Sequence, residues 1–225
     1  MRILICSATA FEVGPLEDYL KQSFTPTGPY QFQKGKLEVV LLISGVGLSI
    51  TSYHLAKMFA LHQFDWALNV GIAGAFEHSL ELGDVVQVVS ERFGDLGVEE
   101  ADGHFTDVHQ LGLVDGNMPP FQKGELLNPG SDDFNFLPKV KALSVNKVHG
   151  YPASIKKIQS LYDADIETME GAAFFYACLM EKVPFLEVRA ISNYVEARNR
   201  ENWEIGLAIE RLNEVVVEMV NGLAR

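Results

Sequence analysis

Short apolar runs that end in glycine or a polar turn alternate along this chain with stretches of helical spacing, and that alternation restricts the fold more than any one motif. RILICSA (residues 2–8), LEVVLLI (37–43), WALNVGIAGAF (66–76), KALSVNKV (141–148) and PFLEVRAIS (184–192) are short, continuously apolar and without helical period. Such runs suit strands buried on both faces. Between the first two, Phe11, Leu16, Tyr19 and Leu20 predict a helix entered near Gly14 and Pro15. Further helices are expected through HLAKMFALH, SIKKIQSLY and the closing NWEIGLAIERLNEVVVEMVNGLAR, where Leu207, Leu212, Val215, Val216 and Met219 supply apolar positions. GDVVQVVSERF reads as a strand, or two. Residues 94–139, rich in Gly, Asp and Pro, read as a long surface excursion. The whole predicts an α/β sheet covered by helices, with ligands at the carboxyl ends of the strands. With no internal repeat or linker, residues 1–225 read as one domain.

Composition narrows the function. A formal charge of -12 argues against a nucleic-acid backbone as partner, which requires clustered Lys and Arg. It leaves room for a small anionic ligand held by one or two arginines. No apolar run approaches the ~20 residues of a membrane span. Met1 leads straight into RILIC without a leader pattern, so a cytoplasmic location is expected. Cys6 and Cys178 lie in apolar runs and read as packing residues. His104 and His109 make no metal-ligand spacing, and HExxH, GxSxG, CxxC, a full GxGxxG and a phosphate loop are all missing. Neither a metal nor a cofactor is expected.

Several residues stand out, each with a plainer account beside it. Glu12 follows a strand and precedes a helix; it is either an acid favoured by the helix dipole or a general base at a strand end. Met169 and Glu170 open the apolar stretch MEGAAFFYACLM. A helix N-terminus there is expected to keep Glu170 ionised, as a carboxylate that could accept hydrogen bonds from two sugar hydroxyls. Arg189 lies inside an apolar strand and needs a partner, structural or catalytic. Ser44-Gly45-Val46-Gly47 and Gly71-Ile72-Ala73-Gly74 could admit a ligand close to the backbone, although glycine at a strand end is common for steric reasons alone. Arg198 and Arg200 sit in a polar segment, solvated or facing an anion.

In order along the chain, Glu12, SGVG, NVGIAGAF with Gly-Asp close behind, IETMEG and RAISN resemble the methylthioadenosine/S-adenosylhomocysteine nucleosidase branch of the nucleoside phosphorylase superfamily. The likeness spans nearly the whole chain and is weakest over residues 94–139. RAISN followed by YVEARNRENW is most similar to the futalosine hydrolases of that branch, which release hypoxanthine from futalosine in an alternative route to menaquinone. The resemblance implies a three-layer α/β/α fold with a central mixed, partly barrel-like sheet, and a purine nucleoside as the small-molecule partner. It also implies a homodimer or larger homo-oligomer, with the loop around His104 and Phe105 as a contact. By position, it implies that Glu12 directs the attacking water, Met169 and Glu170 bind ribose, Arg189 lies near the water, Gly74 brings backbone to the ligand and Asn193 faces the purine. Ile72 and Thr168 depart from a serine and an acid common in the adenosine-type enzymes. The purine-stacking side chain is expected near Val148 to Tyr151.

Asn193 bears on which base leaves. Hypoxanthine protonated at N7 presents a donor beside its O6 acceptor, and a carboxamide offers one acceptor and one donor to match. Protonated adenine presents two donors, of which an amide satisfies one. Asn also has no proton to give. A methylthioadenosine/S-adenosylhomocysteine or inosine nucleosidase, and a nucleoside-binding protein without catalysis, are the alternatives.

Overall fold

Along the first strand Ile3 and Ile5 face one core while Leu4 and Cys6 face another, so the strand is buried on both sides. A computed structural model describes residues 1–132 and 135–224. The chain runs β1 (Arg2–Ser7), α1 (Gly14–Ser23), β2 (Thr25–Gly28), β3 (Gln31–Lys34), β4 (Leu37–Ile43), α2 (Leu48–Leu61), β5 (Trp66–Ala75) and β6 (Val85–Phe93). Two hairpins follow, β7 (Gly97–Glu99) with β8 (Phe105–Asp107) and β9 (Phe121–Gln122) with β10 (Glu125–Leu127). Then come β11 (Lys139–Ser144), α3 (Pro152–Leu161), β12 (Ile166–Thr168), α4 (Gly171–Glu181), β13 (Phe185–Tyr194) and α5 (Ile205–Leu223).

The sheet is mixed and partly barrel-like. β5 pairs with β12, β12 with β11, β11 with β6, β6 with β13, and β13 returns to β5, which closes a ring. β4 and β1 extend this ring in parallel from the first half of β5. On one face α2 and α4 pack Leu48, Leu55, Phe174 and Phe175 onto the sheet. On the other, α1 and α5 pack Leu16, Leu20, Leu212 and Val216. α3 covers a third cluster, with Ile155 and Ile158 against Phe76, Val145 and Val195. The expected α/β/α arrangement is present.

Two local expectations change, one open alternative is resolved and one hairpin is new. The glycines of Gly71-Ile72-Ala73-Gly74 lie inside β5 rather than beyond its end, because the strand continues through them to pair with both β12 and β13. The excursion over residues 94–139 is not all loop, since β10 adds to the sheet edge at β6. Residues 83–93 hold a single strand, and the hairpin β2–β3 was not expected at all. Cys6 and Cys178 are free and buried, and burial pushes the Cys6 thiol up to about 12, so both act as packing groups. Among the described residues no helix is long and apolar enough to cross a membrane.

One buried polar residue ties the two helices of the second face to the loop before α1. Asn213 Nδ2 donates to the Glu12 carbonyl at 2.8 Å and to the Ile209 carbonyl at 2.7 Å, while its Oδ1 accepts from the Leu16 N–H at 2.9 Å. Asn213→Ala would strand a buried backbone donor and acceptor. It should lower unfolding free energy by about 1–3 kcal/mol in a denaturant titration, and an unchanged midpoint would show that the contact is idle.

Candidate active site

Glu12 lies two residues before α1 rather than in its first turn, whose acid is Glu17, so the helix-dipole account of it fails. It is held instead by a nest of donors. Oε2 accepts from the Thr9 N–H at 3.0 Å, the Thr9 hydroxyl at 2.8 Å and the Ser7 hydroxyl at 3.3 Å; Oε1 accepts from the Ile72 N–H at 3.1 Å. Ile72 thus contributes its backbone where a side chain was in question. The buried carboxylate is fixed in place with Oε1 still able to accept.

Glu170 is the N-cap residue of α4, yet its side chain makes no capping bond. It reaches across to accept from the Gly47 N–H at 2.9 Å. Gly47 holds φ of 92°, a conformation suited to glycine, and so turns its amide toward Glu170 rather than toward a ligand. Burial raises the Glu170 carboxyl above its ordinary range, while Arg189 and the Gly47 amide oppose the rise. With no capping bond made by its side chain, the groups that oppose the rise are Arg189 first and then the Gly47 amide.

Arg189 is the hub of this charge. It is 1% exposed, and its Nε donates to Glu187 Oε1 at 2.9 Å. Burial alone would lower its affinity for a proton, but Glu187, Glu170 and Glu12 together hold it above the ordinary arginine value. A Cβ on Gly71 would stand 2.3 Å from Nη1 and 2.9 Å from Glu12 Oε1, so only glycine leaves room for the guanidinium beside β5. Nη2 is buried with no partner among the described residues. Behind Arg189 lies Glu91, fully buried, which accepts from the Ser144 hydroxyl at 2.9 Å and the Thr168 hydroxyl at 3.0 Å. Burial, then Glu187, push the Glu91 carboxyl well up. Thr168 therefore meets a carboxylate delivered by β6, where an acid at its own position was the common pattern. Neither Glu91 nor Glu187 was anticipated from the sequence.

Asn193 owes its aim to a bulge. Ile191 pairs with Ala73 and Asn193 with Gly74, which leaves Ser192 as an extra residue on β13. The Asn193 Oδ1 accepts from the Ser192 hydroxyl at 2.9 Å, and Nδ2 donates to the Tyr194 carbonyl at 3.0 Å. A Cβ on Gly74 would come 3.0 Å from Nδ2, so glycine lets the amide lie against the strand. The two glycines of β5 are there for side chains of the site.

A cavity of about 530 Å³ gathers most of these groups. Thr9, Glu12, Gly74, Met169, Glu170 and Asn193 line it, and the volume suits a small organic ligand. Arg189 does not line it; contrary to the expectation of direct binding, it stands behind the two carboxylates. Of residues 148–151, where the purine-stacking side chain was expected, Val148 and His149 line it and Tyr151 does not. Arg198, Arg200 and Trp203 form part of the rim, with the Arg198 guanidinium 5.5 Å from the Trp203 ring centre. Among the described residues no group of His, Cys, Asp and Glu is arranged to hold a metal.

A family model described as the phosphorylase superfamily matches residues 2–126. The chain is also 30% identical over 207 residues to a 5′-methylthioadenosine/S-adenosylhomocysteine nucleosidase of Bacillus thuringiensis (strain Al Hakam), covering 86% of each. This chain belongs to the phosphorylase superfamily. The family match carries Glu12, Gly47 and β5; Met169, Glu170 and Asn193 fall beyond it. Among solved structures the fold is shared with the S-adenosylhomocysteine nucleosidase of Streptococcus pyogenes (TM-score 0.79, 21% identity, 99% of this chain and 97% of that one). It is shared equally with futalosine hydrolase of Helicobacter pylori strain 26695 (TM-score 0.77, 16% identity, 99% and 98%). The superfamily fold therefore accommodates both names, and the backbone alone does not separate them.

Gly171 tests the charge network directly. A Cβ there would stand 1.8 Å from Glu91 Oε1 and 2.6 Å from Glu187 Oε1. Gly171→Ala should lower stability by about 1–3 kcal/mol despite the better helix propensity of alanine, as read from denaturant unfolding. A stabilised variant would mean that the two carboxylates are not packed as described.

Proposed function

We propose that this superfamily member is a nucleosidase that hydrolyses the N-glycosidic bond of a purine nucleoside. The single observation that carries this is one cavity lined together by Glu12, Glu170 and Asn193, the last carried on the β13 bulge. In this reading Glu170 accepts hydrogen bonds from the ribose hydroxyls and offsets the positive charge that grows on the sugar as the bond breaks. Glu12, clamped by Thr9 and Ile72, directs water to C1′ and takes its proton. Arg189 stands behind them and opposes the rise that burial imposes on Glu170. Water is favoured over phosphate because the turn after β1, Ala8-Thr9-Ala10-Phe11-Glu12, presents a carboxylate where a phosphate dianion would need cations and free amides.

Two substrates divide the support. The curated relatives are named for methylthioadenosine and S-adenosylhomocysteine, which favours an adenine nucleoside. The second reading, futalosine, rests on Asn193 and on the two arginines at the rim, which could meet the benzoate of that substrate. The amide orientation supports it: a carbonyl only accepts, so the atom 3.0 Å from Tyr194 O is the Nδ2 donor, and an ionised Asp there would set oxygen against oxygen. The second Nδ2 hydrogen and the second Oδ1 lone pair remain for an O6 acceptor and an N7–H donor.

Chromatography of the bases released from futalosine, methylthioadenosine and inosine, with and without phosphate, tests both layers. Phosphate-independent base release is expected. Glu12→Gln should reduce it by roughly 100-fold or more while ligand binding persists; undiminished turnover would remove Glu12 from its role.

Asn193→Asp should raise the ratio of adenine to hypoxanthine release by about ten- to a hundredfold, the size of one mismatched buried hydrogen bond. An unchanged ratio would leave the substrate reading to the relatives' names alone.

A further inference from the structure

One pair of titratable groups in the cavity has no part in the reaction as described so far. His149, in the segment between β11 and α3, is clamped twice by Glu167 of β12: its backbone N–H donates to Oε1 at 2.9 Å, and its ring Nδ1 bonds Oε2. Glu167 is 4% exposed and has both oxygens committed to this one residue. A carboxylate accepts, so Nδ1 carries the hydrogen and the ring's remaining chemistry is at Nε2. Among the described residues no group is paired with Nε2, and the ring lines the cavity. Glu167 also sets a carboxylate directly against the ring, on the side away from Nε2.

The topology places this pair opposite Asn193. Glu167 pairs with Gly74 from the β12 side of β5, and Asn193 pairs with the same Gly74 from the β13 side. The residue after His149 also anchors the rim, since the Gly150 carbonyl accepts from the Arg198 N–H at 3.1 Å. His149, held by Glu167, therefore lies with Asn193 about the same point of β5, where the proposed reading puts the base.

We infer that His149 is a further catalytic residue, the acid that hands a proton from Nε2 to the departing base, with Glu167 as its positioning residue. The inference rests on the nucleosidase reading but on neither choice of substrate. It follows from what the other lining residues can do. Asn193 has no acidic proton, the guanidinium groups of Arg198 and Arg200 do not release theirs, and Glu12 and Glu170 act as carboxylates at the sugar end. In the step, the C1′–N9 bond breaks and its electron pair stays on the purine. The Nε2 proton moves to a ring nitrogen of that purine, leaving His149 neutral. Water adds to C1′ and its proton passes to Glu12; exchange with solvent restores both groups.

The test compares leaving groups that need a proton with one that does not. Wild type, His149→Gln and Glu167→Gln would be assayed on a purine nucleoside and on 4-nitrophenyl riboside, whose phenolate departs unaided. The expected result is a loss of about 100-fold in purine release for His149→Gln with nitrophenolate release within about threefold of wild type. Glu167→Gln should show the same selective loss, smaller in size, and serves if the first variant does not fold. Equal losses on both substrates, or none on either, would overturn the acid role. Wild-type protein that frees no base from any purine nucleoside would overturn the nucleosidase reading itself, and this inference with it.

Discussion

The Arg189–Glu187 ion pair, closed to solvent inside the sheet ring, is the contact on which the rest of the site depends. Taking one guanidinium out of water costs several kcal/mol unless its neighbours repay it, and a single carboxylate 2.9 Å away from Nε is only part of that repayment. Glu170 and Glu12 complete it from the cavity side, so each carboxylate of the proposed chemistry is also a counter-ion. The arrangement works in both directions. Arg189 opposes the rise that burial imposes on Glu170, and the acids raise the proton affinity of Arg189 where burial alone would lower it. Glu91, raised by burial and by Glu187, lies at the far side of the same network.

Much of the outline was legible from the chain because its signals are local. Apolar runs such as RILICSA and PFLEVRAIS became β1 and β13, and Pro15 and Pro152 sit in the first turns of α1 and α3 as their fixed φ favours. The short hairpins β2–β3 and β9–β10 have two to four residues per strand, too few to show an alternation, and escaped. The site divides in the same way. Glu12, Glu170 and Asn193 were visible through motif order, whereas Glu91, Glu187 and Glu167 looked like ordinary polar alternation within strands. One signal was available: Glu187 and Arg189 are two apart in a strand, hence on one face, and two opposite charges on a buried face imply a pair. His149 gave no such sign, since its partner is 18 residues away and only the pairing of β11 with β12 brings the two together.

Fold and substrate separate cleanly here. Structures named for S-adenosylhomocysteine and for futalosine match the backbone at nearly the same TM-score, so the choice between bases is made by a few polar atoms on a shared frame. In the proposed function two of those atoms belong to Asn193, and their direction is set by the Tyr194 carbonyl, the Ser192 hydroxyl and the missing side chain of Gly74. The Ser192 bulge shifts the register so that Asn193, rather than Ser192, lies beside Gly74. A specificity position can thus be fixed by backbone irregularity as much as by residue identity.

The distribution of charge along the cavity gives the proposed reaction a direction. Around the sugar end of the proposed reaction stand Glu12 and Glu170, with Glu187 behind them, against the one guanidinium of Arg189. At the opposite end Glu167 is matched by His149, Asn193 is neutral, and Arg198 and Arg200 stand at the rim. Breaking an N-glycosidic bond moves positive charge onto the ribose and negative charge onto the base. A site that is net negative at the first end and neutral to positive at the second favours that displacement more strongly as it proceeds, and so acts on the transition state rather than on the bound nucleoside. The closed ring β5–β12–β11–β6–β13 makes this possible. β5 pairs with β12 on one side and β13 on the other, so Glu167 and Asn193 reach the same Gly74 from separate strands whose spacing is set by backbone hydrogen bonds.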